Sequence, residues 1–354
     1  MVNFFVVFFL TLFSVYYLTK TDVLNSTTFD KISFLDIFLV MLFFLLGLFV
    51  LSIVEFLVFR TFTKTMPVQR CYVDCLLGNL GSNVTPLKVA HFPLKFYVQH
   101  SFGVPFSDSV TGAVKCQIIY SFTSILVYLT IVISLAVNGQ QVIIGESVFP
   151  LFLIISFGLF FHIGVFILTV VLAFNVKLQK WVLCTLSKLI KKIKKNFNEE
   201  QFIYEKERNL RLFREQISVI VKKFGAYIAP IVLYAIFMFL SESALYFTFL
   251  LVSGESFVLS EFFTFYLLTL ASYYIANFIP VPGGAGTTEV VVSILFSSII
   301  ASEFIGSIII LWRLATYYLI ILLEVVLICF LPVFKKNYKN KADKYADFVS
   351  DEYE

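Results

Sequence analysis

The stretch NFIPVPGGAGTTEVVV, Asn277 to Val292, sets two prolines, three glycines and a carboxylate inside an otherwise apolar run. Pro280 and Pro282 have no N–H to donate and push the residues before them out of helix. Gly283, Gly284 and Gly286 permit backbone conformations closed to other residues. The spacing therefore predicts that one helix ends near Phe278 and another starts near Thr287. Thr287 or Thr288 can cap the new helix, and Glu289 in its first turn complements the positive end of the helix dipole. Broken backbone is tolerated at membrane depth only where protein buries it or water reaches it. The segment is thus expected to border a protected or wet pocket. Its free amides would make a cradle for an anion such as a lipid phosphate. Two readings of Glu289 stand side by side: a helix cap, or a group that answers a headgroup or pairs with a cation.

Composition places this break in a membrane. Of the 354 residues, 59% are hydrophobic and 14% charged, whereas soluble chains carry about a quarter charged residues. Residues Ile37–Val54, Ile118–Val137, Val148–Phe174, Phe224–Ser241 and Phe262–Ile279 carry no Asp, Glu, Lys or Arg. Runs of about 20 apolar residues match the hydrocarbon thickness of a bilayer. The expected fold is all-α and polytopic, with eight helices near 3–19, 33–59, 114–137, 148–174, 219–243, 262–279, 287–301 and 304–331. Residues 3–18 lack the basic flank and the cleavage pattern of a signal peptide, so they read as a retained first helix.

Lys and Arg accumulate on the cytoplasmic side of membrane proteins. Here stretch 60–113 holds five, 174–223 holds thirteen and 335–354 holds five, whereas the opposite loops hold only Lys20 and Lys31. This predicts a multi-pass protein of the cell membrane with both termini cytoplasmic, and it puts the Pro/Gly loop on the cytoplasmic side. The chain divides into a membrane half (1–174), a basic linker (175–218), a second membrane half (219–333) and a tail (334–354). In the linker, Leu178, Val182, Leu186, Leu189 and Ile193 share one helical face with lysines opposite, the pattern of a helix lying in the headgroup plane. The competing reading is an ordinary basic loop. No segment has the length and polarity of a soluble catalytic domain. The five cysteines are scattered without the ligand spacing of a metal site. No cofactor, metal or nucleic-acid partner is expected, and an oligomer stays open.

The halves echo one another. GNLGSNVTPLKVAHFPLKF (Gly78–Phe96) resembles ANFIPVPGGAGTTEVVVSI (Ala276–Ile294), and SDSVTGAVKC resembles SEFIGSIIIL. Asn79 and Asn277, Pro86 and Pro282, and Ser107 and Ser302 stand 198, 196 and 195 positions apart. With eight crossings both halves have one orientation, so the expected repeat is parallel, with a substrate path between halves.

Arg313 falls deep in the last helix, where a charge costs at least about 2.5–3.5 kcal/mol without a partner or water. Glu324 follows three turns later on the same face. By expected depth, Arg313 should lie near Glu242 at the outer end of helix five, and Glu324 near Glu289. These residues form either two polar stations along a groove or a structural ion pair. His162 reads as a helix-packing residue more readily than as a proton relay. Glu55, Asp36 and Lys115 read as residues that snorkel from helix ends.

PVPGGAGTTE, with the arginine of LWRLATYY 24 residues after Glu289, resembles the lysylphosphatidylglycerol synthase transmembrane-region family. That family includes the flippase half of the bacterial multiple peptide resistance factor, which also bears a cytoplasmic aminoacyl-transferase domain; a stand-alone member without that domain is expected here. Pro280, Pro282, Gly283, Gly284, Gly286, Glu289 and Arg313 stand at its motif positions. In the first half Thr85 and Pro86 match and Lys95 replaces an arginine. Ala90–His91 replaces a Gly-Glu pair, and Cys116–Gln117 replaces a Glu-Arg pair. The resemblance implies phospholipid translocation, of an anionic or aminoacylated lipid, and a role in antimicrobial peptide resistance. The expected lipid pathway comprises Asn277, Pro280, Pro282, Gly283, Gly284, Gly286, Thr287, Glu289, Arg313, Glu324, Glu242, Asn79, Thr85, Pro86 and Lys95. The alternatives are a membrane subunit of a lipid-modifying system, working with a separate soluble synthase, and a small-solute transporter.

Overall fold

The computed structural model describes residues 32–139, 141–144, 147–193, 210, 213–277, 279–297 and 299–331. The expected first helix at 3–19, most of the second half of the linker and the tail from 334 lie outside the described residues. Helix α1 (Phe34–Phe59) is followed by α2 (Val68–Val84), a 3-10 turn (Pro86–Lys88), α3 (His91–Ser101) and α4 (Phe106–Asn138). A two-stranded hairpin, β1 (Gln141–Ile144) and β2 (Ser147–Pro150), leads to α5 (Leu151–Phe174) and α6 (Val176–Ile193). After a helical stretch at 213–222 and a 3-10 turn (Phe224–Tyr227), α7 (Ile228–Ser253) leads to α8 (Leu259–Asn277). A further 3-10 turn (Pro282–Gly284) precedes α9 (Thr287–Phe296). Last comes α10 (Ser302–Arg313), which runs on through a π turn (Leu314–Tyr318) to Leu331.

Among the described residues, five helical segments are long and apolar enough to cross a membrane: Phe34–Phe59, Phe106–Val137, Leu151–Phe174, Phe224–Ser253 and Ser302–Leu331. They expose many large apolar side chains, among them Phe38, Leu42, Leu46 and Phe49 on α1 and Phe157, Phe160 and Phe161 on α5. That distribution suits hydrocarbon as solvent. Helices α1 and α7 pack antiparallel, with Phe43 against Phe247 at 4.8 Å and Gly47 against Phe237 and Leu240. Thr61, just past α1, meets Tyr227, just before α7, at 3.2 Å.

Arg60, Lys64 and Arg70, with Lys177 and Lys180 at the start of α6, lie at one end of the bundle, called here the basic end. The cluster of Phe59, Met66, Cys71, Phe102, Val104 and Leu331 closes that end. Leu135, Leu151, Val252, Phe262, Phe296 and Ile300 belong to the cluster that extends to the opposite end. These contacts settle the two broken segments. Helix α2 leaves the basic end and α3 returns to it: the Arg70 guanidinium donates to the Phe102 carbonyl at 3.2 Å. Helix α8 starts at the opposite end, where the Tyr246 hydroxyl donates to the Val258 carbonyl at 3.1 Å, and α9 returns there with Phe296 against Phe265 at 5.1 Å.

The expected crossings at 262–279 and 287–301 are therefore not crossings. Helix α9 has 10 residues, about 15 Å by helical rise and half of a hydrocarbon core. Together α8 and α9 form a re-entrant hairpin whose Pro/Gly tip lies inside the bundle rather than on the cytoplasmic side. The α2–α3 hairpin enters from the other end, so the two broken segments have opposite orientations, not the shared one expected. Their tips meet: the Pro86–Lys88 turn packs on the Pro282–Gly284 turn.

The linker forms helix over Val176–Ile193 as the periodicity requires. The side chains at 182, 186, 189 and 193 lie outside the described residues. Buried Gln179 ties α6 to the end of α5, donating to the Leu172 and Ala173 carbonyls at 2.9 and 2.8 Å and accepting from Arg214 at 2.6 Å.

Candidate functional site

The second tip is built around Glu289. Helix α8 ends at Asn277, whose side chain lies outside the described residues, and α9 begins at Thr287, as the prolines and glycines dictate. The cap differs from expectation: neither threonine caps α9. Gly286, at φ 81°, is the N-cap, and its N–H donates back to Glu289 Oε2 at 3.0 Å. Thr287 instead donates to the Gly284 carbonyl at 3.0 Å. The other Glu289 oxygen accepts from Arg313 Nε at 2.9 Å and from the Tyr318 hydroxyl at 3.0 Å. Both charged partners are buried, at 3% and 5% exposure. The guanidinium also lies 4.0 Å from the Tyr317 ring centroid, a cation–π geometry. Glu289 thus caps its helix and pairs with a cation at once, which merges the two sequence readings.

Arg313 therefore lies beside Glu289, not Glu242. The re-entrant path of α8 and α9 carries Glu289 inward to Arg313's depth. Glu324 in turn accepts from Asn79 Nδ2 at 2.8 Å, which joins α10 to the first hairpin. A second bridge between the halves is the Tyr317 hydroxyl, 3.2 Å from the Asn83 carbonyl and 3.3 Å from the Pro282 carbonyl. Gly283 sits at this junction with φ 57°, and a Cβ there would stand 2.4 Å from the Tyr317 ring and 2.8 Å from the Asn83 oxygen. Only glycine fits the approach.

The first tip uses different chemistry at matching places. Thr85 donates to the Gly81 carbonyl at 2.6 Å and accepts from the Ala90 N–H at 3.0 Å, turning the chain at Pro86. His91, standing where the resembling family has an acid, places Nδ1 3.0 Å from the Gly78 carbonyl and 2.9 Å from Ser82 Oγ. Lys95 finds its carboxylates elsewhere: it is ion-paired with Glu55 and lies 3.4 Å from Asp74. Glu55 does not snorkel; it is 1% exposed. Lys115 does not snorkel either, being fully buried with its ammonium 4.4 Å from the Phe62 ring centroid and 3.2 Å from Thr61 Oγ1. Asp36 is a cap, bonded to the Ser33 N–H and hydroxyl.

A group of polar residues lies beside the joined tips, and one of them, Lys88, escaped the sequence reading. Lys88 is the one non-glycine at positive φ (58°) among the described residues, a conformation that strains an L-residue. The residue is exposed. Its ammonium lies within electrostatic reach of Glu242 and His162. Glu242 is not at the outer end of its helix, because α7 runs ten residues past the expected boundary to Ser253. One buried carboxylate oxygen of Glu242 has no hydrogen-bond partner among the described residues. Tyr128, Tyr234, Tyr266, Tyr273 and Tyr274 stand around it within electrostatic reach. His162 packs as expected, with Nε2 3.1 Å from the Tyr274 hydroxyl. The tips are not sealed: Pro86, Pro280 and Lys88 are exposed, as are Val89 (69%) and Ile279 (47%).

Charged and polar side chains inside a bundle of apolar helices are a setting for binding a polar group. No curated protein and no solved structure matches the chain. The family model described as the lysylphosphatidylglycerol synthase TM region matches residues 1–323. Together with the apolar helices this makes the chain a membrane protein, and it belongs to the lysylphosphatidylglycerol synthase transmembrane-region family.

Proposed function

We propose that this protein is a lipid translocator that passes a phospholipid headgroup between leaflets through the crevice beside the two hairpin tips. The observation that carries this reading is a strained, exposed lysine, Lys88, within electrostatic reach of Glu242, a carboxylate with an oxygen unpartnered among the described residues; the two would line a polar chamber beside the tips. A headgroup carrying both phosphate and amine complements that pair, with phosphate against Lys88 and amine against Glu242. The acyl tails would remain in the surrounding hydrocarbon, outside the tips. In this reading the halves form an inverted repeat, which carries alternating access around a fixed midplane site. Glu289, Arg313 and Tyr318 are the frame that holds the second tip, and Asn79–Glu324 and Tyr317 hold the tips together. The basic end faces the cytoplasm of a cell membrane by the positive-inside rule.

The test is leaflet exchange in vesicles containing the purified full chain, with labelled anionic, zwitterionic and aminoacylated lipids in parallel. The expected result is exchange above protein-free vesicles, fastest for an amine-bearing headgroup. Lys88→Met should slow it about tenfold, the factor that corresponds to ~1.4 kcal/mol. Exchange no faster than in protein-free vesicles for every lipid overturns the proposal. So does chemical conversion of the lipid by the chain without movement, which would mark a lipid-modifying subunit.

A further inference from the structure

A second buried charge cluster lies in the first hairpin, and the chamber does not use it. Glu55 on α1 and Asp74 on α2 share the single ammonium of Lys95 on α3. Glu55 Oε1 also accepts from the Tyr120 hydroxyl at 3.1 Å, and Asp74 Oδ2 accepts from Gln99 Nε2 at 2.7 Å. Every one of these charged or amide side chains is at least nine-tenths buried: Glu55 1%, Asp74 0%, Gln99 1% and Lys95 7% exposed. Three oxygens in the cluster are buried without a hydrogen-bond partner among the described residues: Glu55 Oε2, Asp74 Oδ1 and Gln99 Oε1. All three are acceptors, and two carboxylates face one cation. Among the described residues, the other titratable groups nearby are the buried thiols of Cys71, Cys75 and Cys116 and the imidazole of His91. None of them carries a fixed positive charge to balance the second acid.

An uncompensated charge in such a site is costly enough that it binds a counter-charge or neutralises. A metal ion would have to share the space between the carboxylates with the ammonium, against like-charge repulsion. A proton on the far oxygen of either acid meets no such conflict, and it turns an orphaned acceptor into a donor. We propose that the Glu55–Asp74–Lys95 cluster is a proton site that holds one exchangeable proton between its two carboxylates. Resting on the translocation reading above, the proposal makes this proton the coupling ion for headgroup movement. Two aromatic residues lie between them: Tyr120, bonded to Glu55, stacks on Tyr234 at 4.3 Å, and Tyr234 lies within electrostatic reach of Glu242.

The test reads protonated carboxyl groups directly, by isotope-edited infrared spectroscopy of the purified full chain. Glu55→Gln and Asp74→Asn should each remove one protonated-carboxyl band relative to wild type. Lys95→Gln, which leaves two acids without a cation, should add one. The two acid variants are independent, so one that folds suffices, with retained helicity and elution volume as the criterion. In vesicles, a pH gradient should accelerate wild-type lipid exchange and have no effect on Asp74→Asn. Spectra of Glu55→Gln and Asp74→Asn that superimpose on wild type overturn the proposal. So does a thermal midpoint raised by sodium chloride in wild type but not in Asp74→Asn, which would assign the site to a metal ion. Loss of the band with no lipid movement in any protein would instead sink the translocation reading alone, and unchanged bands with brisk lipid movement the proton site alone.

Discussion

Replacing Arg313 by methionine examines the frame of the second tip. The change removes the 2.9 Å bond to Glu289 and the cation 4.0 Å from the Tyr317 ring centroid. Glu289 keeps its bonds from the Tyr318 hydroxyl and the Gly286 N–H, both at 3.0 Å, but its charge stays 3% exposed with no cation. Removing one partner of a buried pair costs about 3–5 kcal/mol. That is a large share of the roughly 5–15 kcal/mol by which folded domains are stable. Glu289→Gln removes the other partner and strands the arginine, with a cost of the same order. The double replacement strands neither charge, so it should cost at least about 1–2 kcal/mol less than the sum of the singles, within the usual range for contacting residues. The assay is reversible denaturant unfolding of the full chain in mixed micelles, followed by far-ultraviolet circular dichroism. Two single variants that each cost under about 1 kcal/mol, with an additive double, would refute the reasoning. The pair would then be free to serve cargo, and its loss should appear in lipid exchange instead.

Three further outcomes follow from the junction of the tips. Gly283→Ala should destabilise by about 1–3 kcal/mol, because it adds a clash to a backbone at positive φ, read as a lowered unfolding midpoint. Tyr317→Phe, which unbinds the Asn83 and Pro282 carbonyls, should cost about 1–2 kcal/mol and raise hydrogen exchange at residues 279–286 above that elsewhere. Lys88→Gly should leave stability unchanged or raise it by about 1 kcal/mol, since it relieves left-handed strain, while slowing leaflet exchange. A drop in both properties together would mean that Lys88 supports the fold rather than the cargo.

Much of the second tip was legible in the sequence. Proline and glycine act locally, so the helix end at Asn277 and the start at Thr287 followed from residues within a few positions of each. The path of the hairpin did not. A run such as Phe262–Ile279 is as suitable for crossing hydrocarbon as for descending to its middle and stopping. Only the contacts of Phe296 with Phe265 and of Arg313 with Glu289 decide between them. That misreading propagated: with α9 taken as a crossing, both halves acquired one orientation and Glu289 was set at the wrong depth. Glu55 and Lys95 pair across 40 positions of sequence, and no local pattern announces such a contact. Lys88 was hidden because its distinguishing feature is a backbone angle. Glu242 was misplaced because Glu242 itself looked like the polar end of an apolar run, although α7 continues through the apolar residues Ala244 to Val252.

The central claim is that water and polar groups reach mid-depth where the two tips meet. Spin labels at Val89 and Ile279, in the full chain in vesicles, measure this through collision with a water-soluble relaxation agent and with oxygen, which concentrates in hydrocarbon. The account predicts labels at both positions that are far more accessible to the water-soluble agent than a label at Phe157, on the exposed apolar face of α5. Labels at the two tips that favour oxygen as strongly as the one at Phe157 would contradict it.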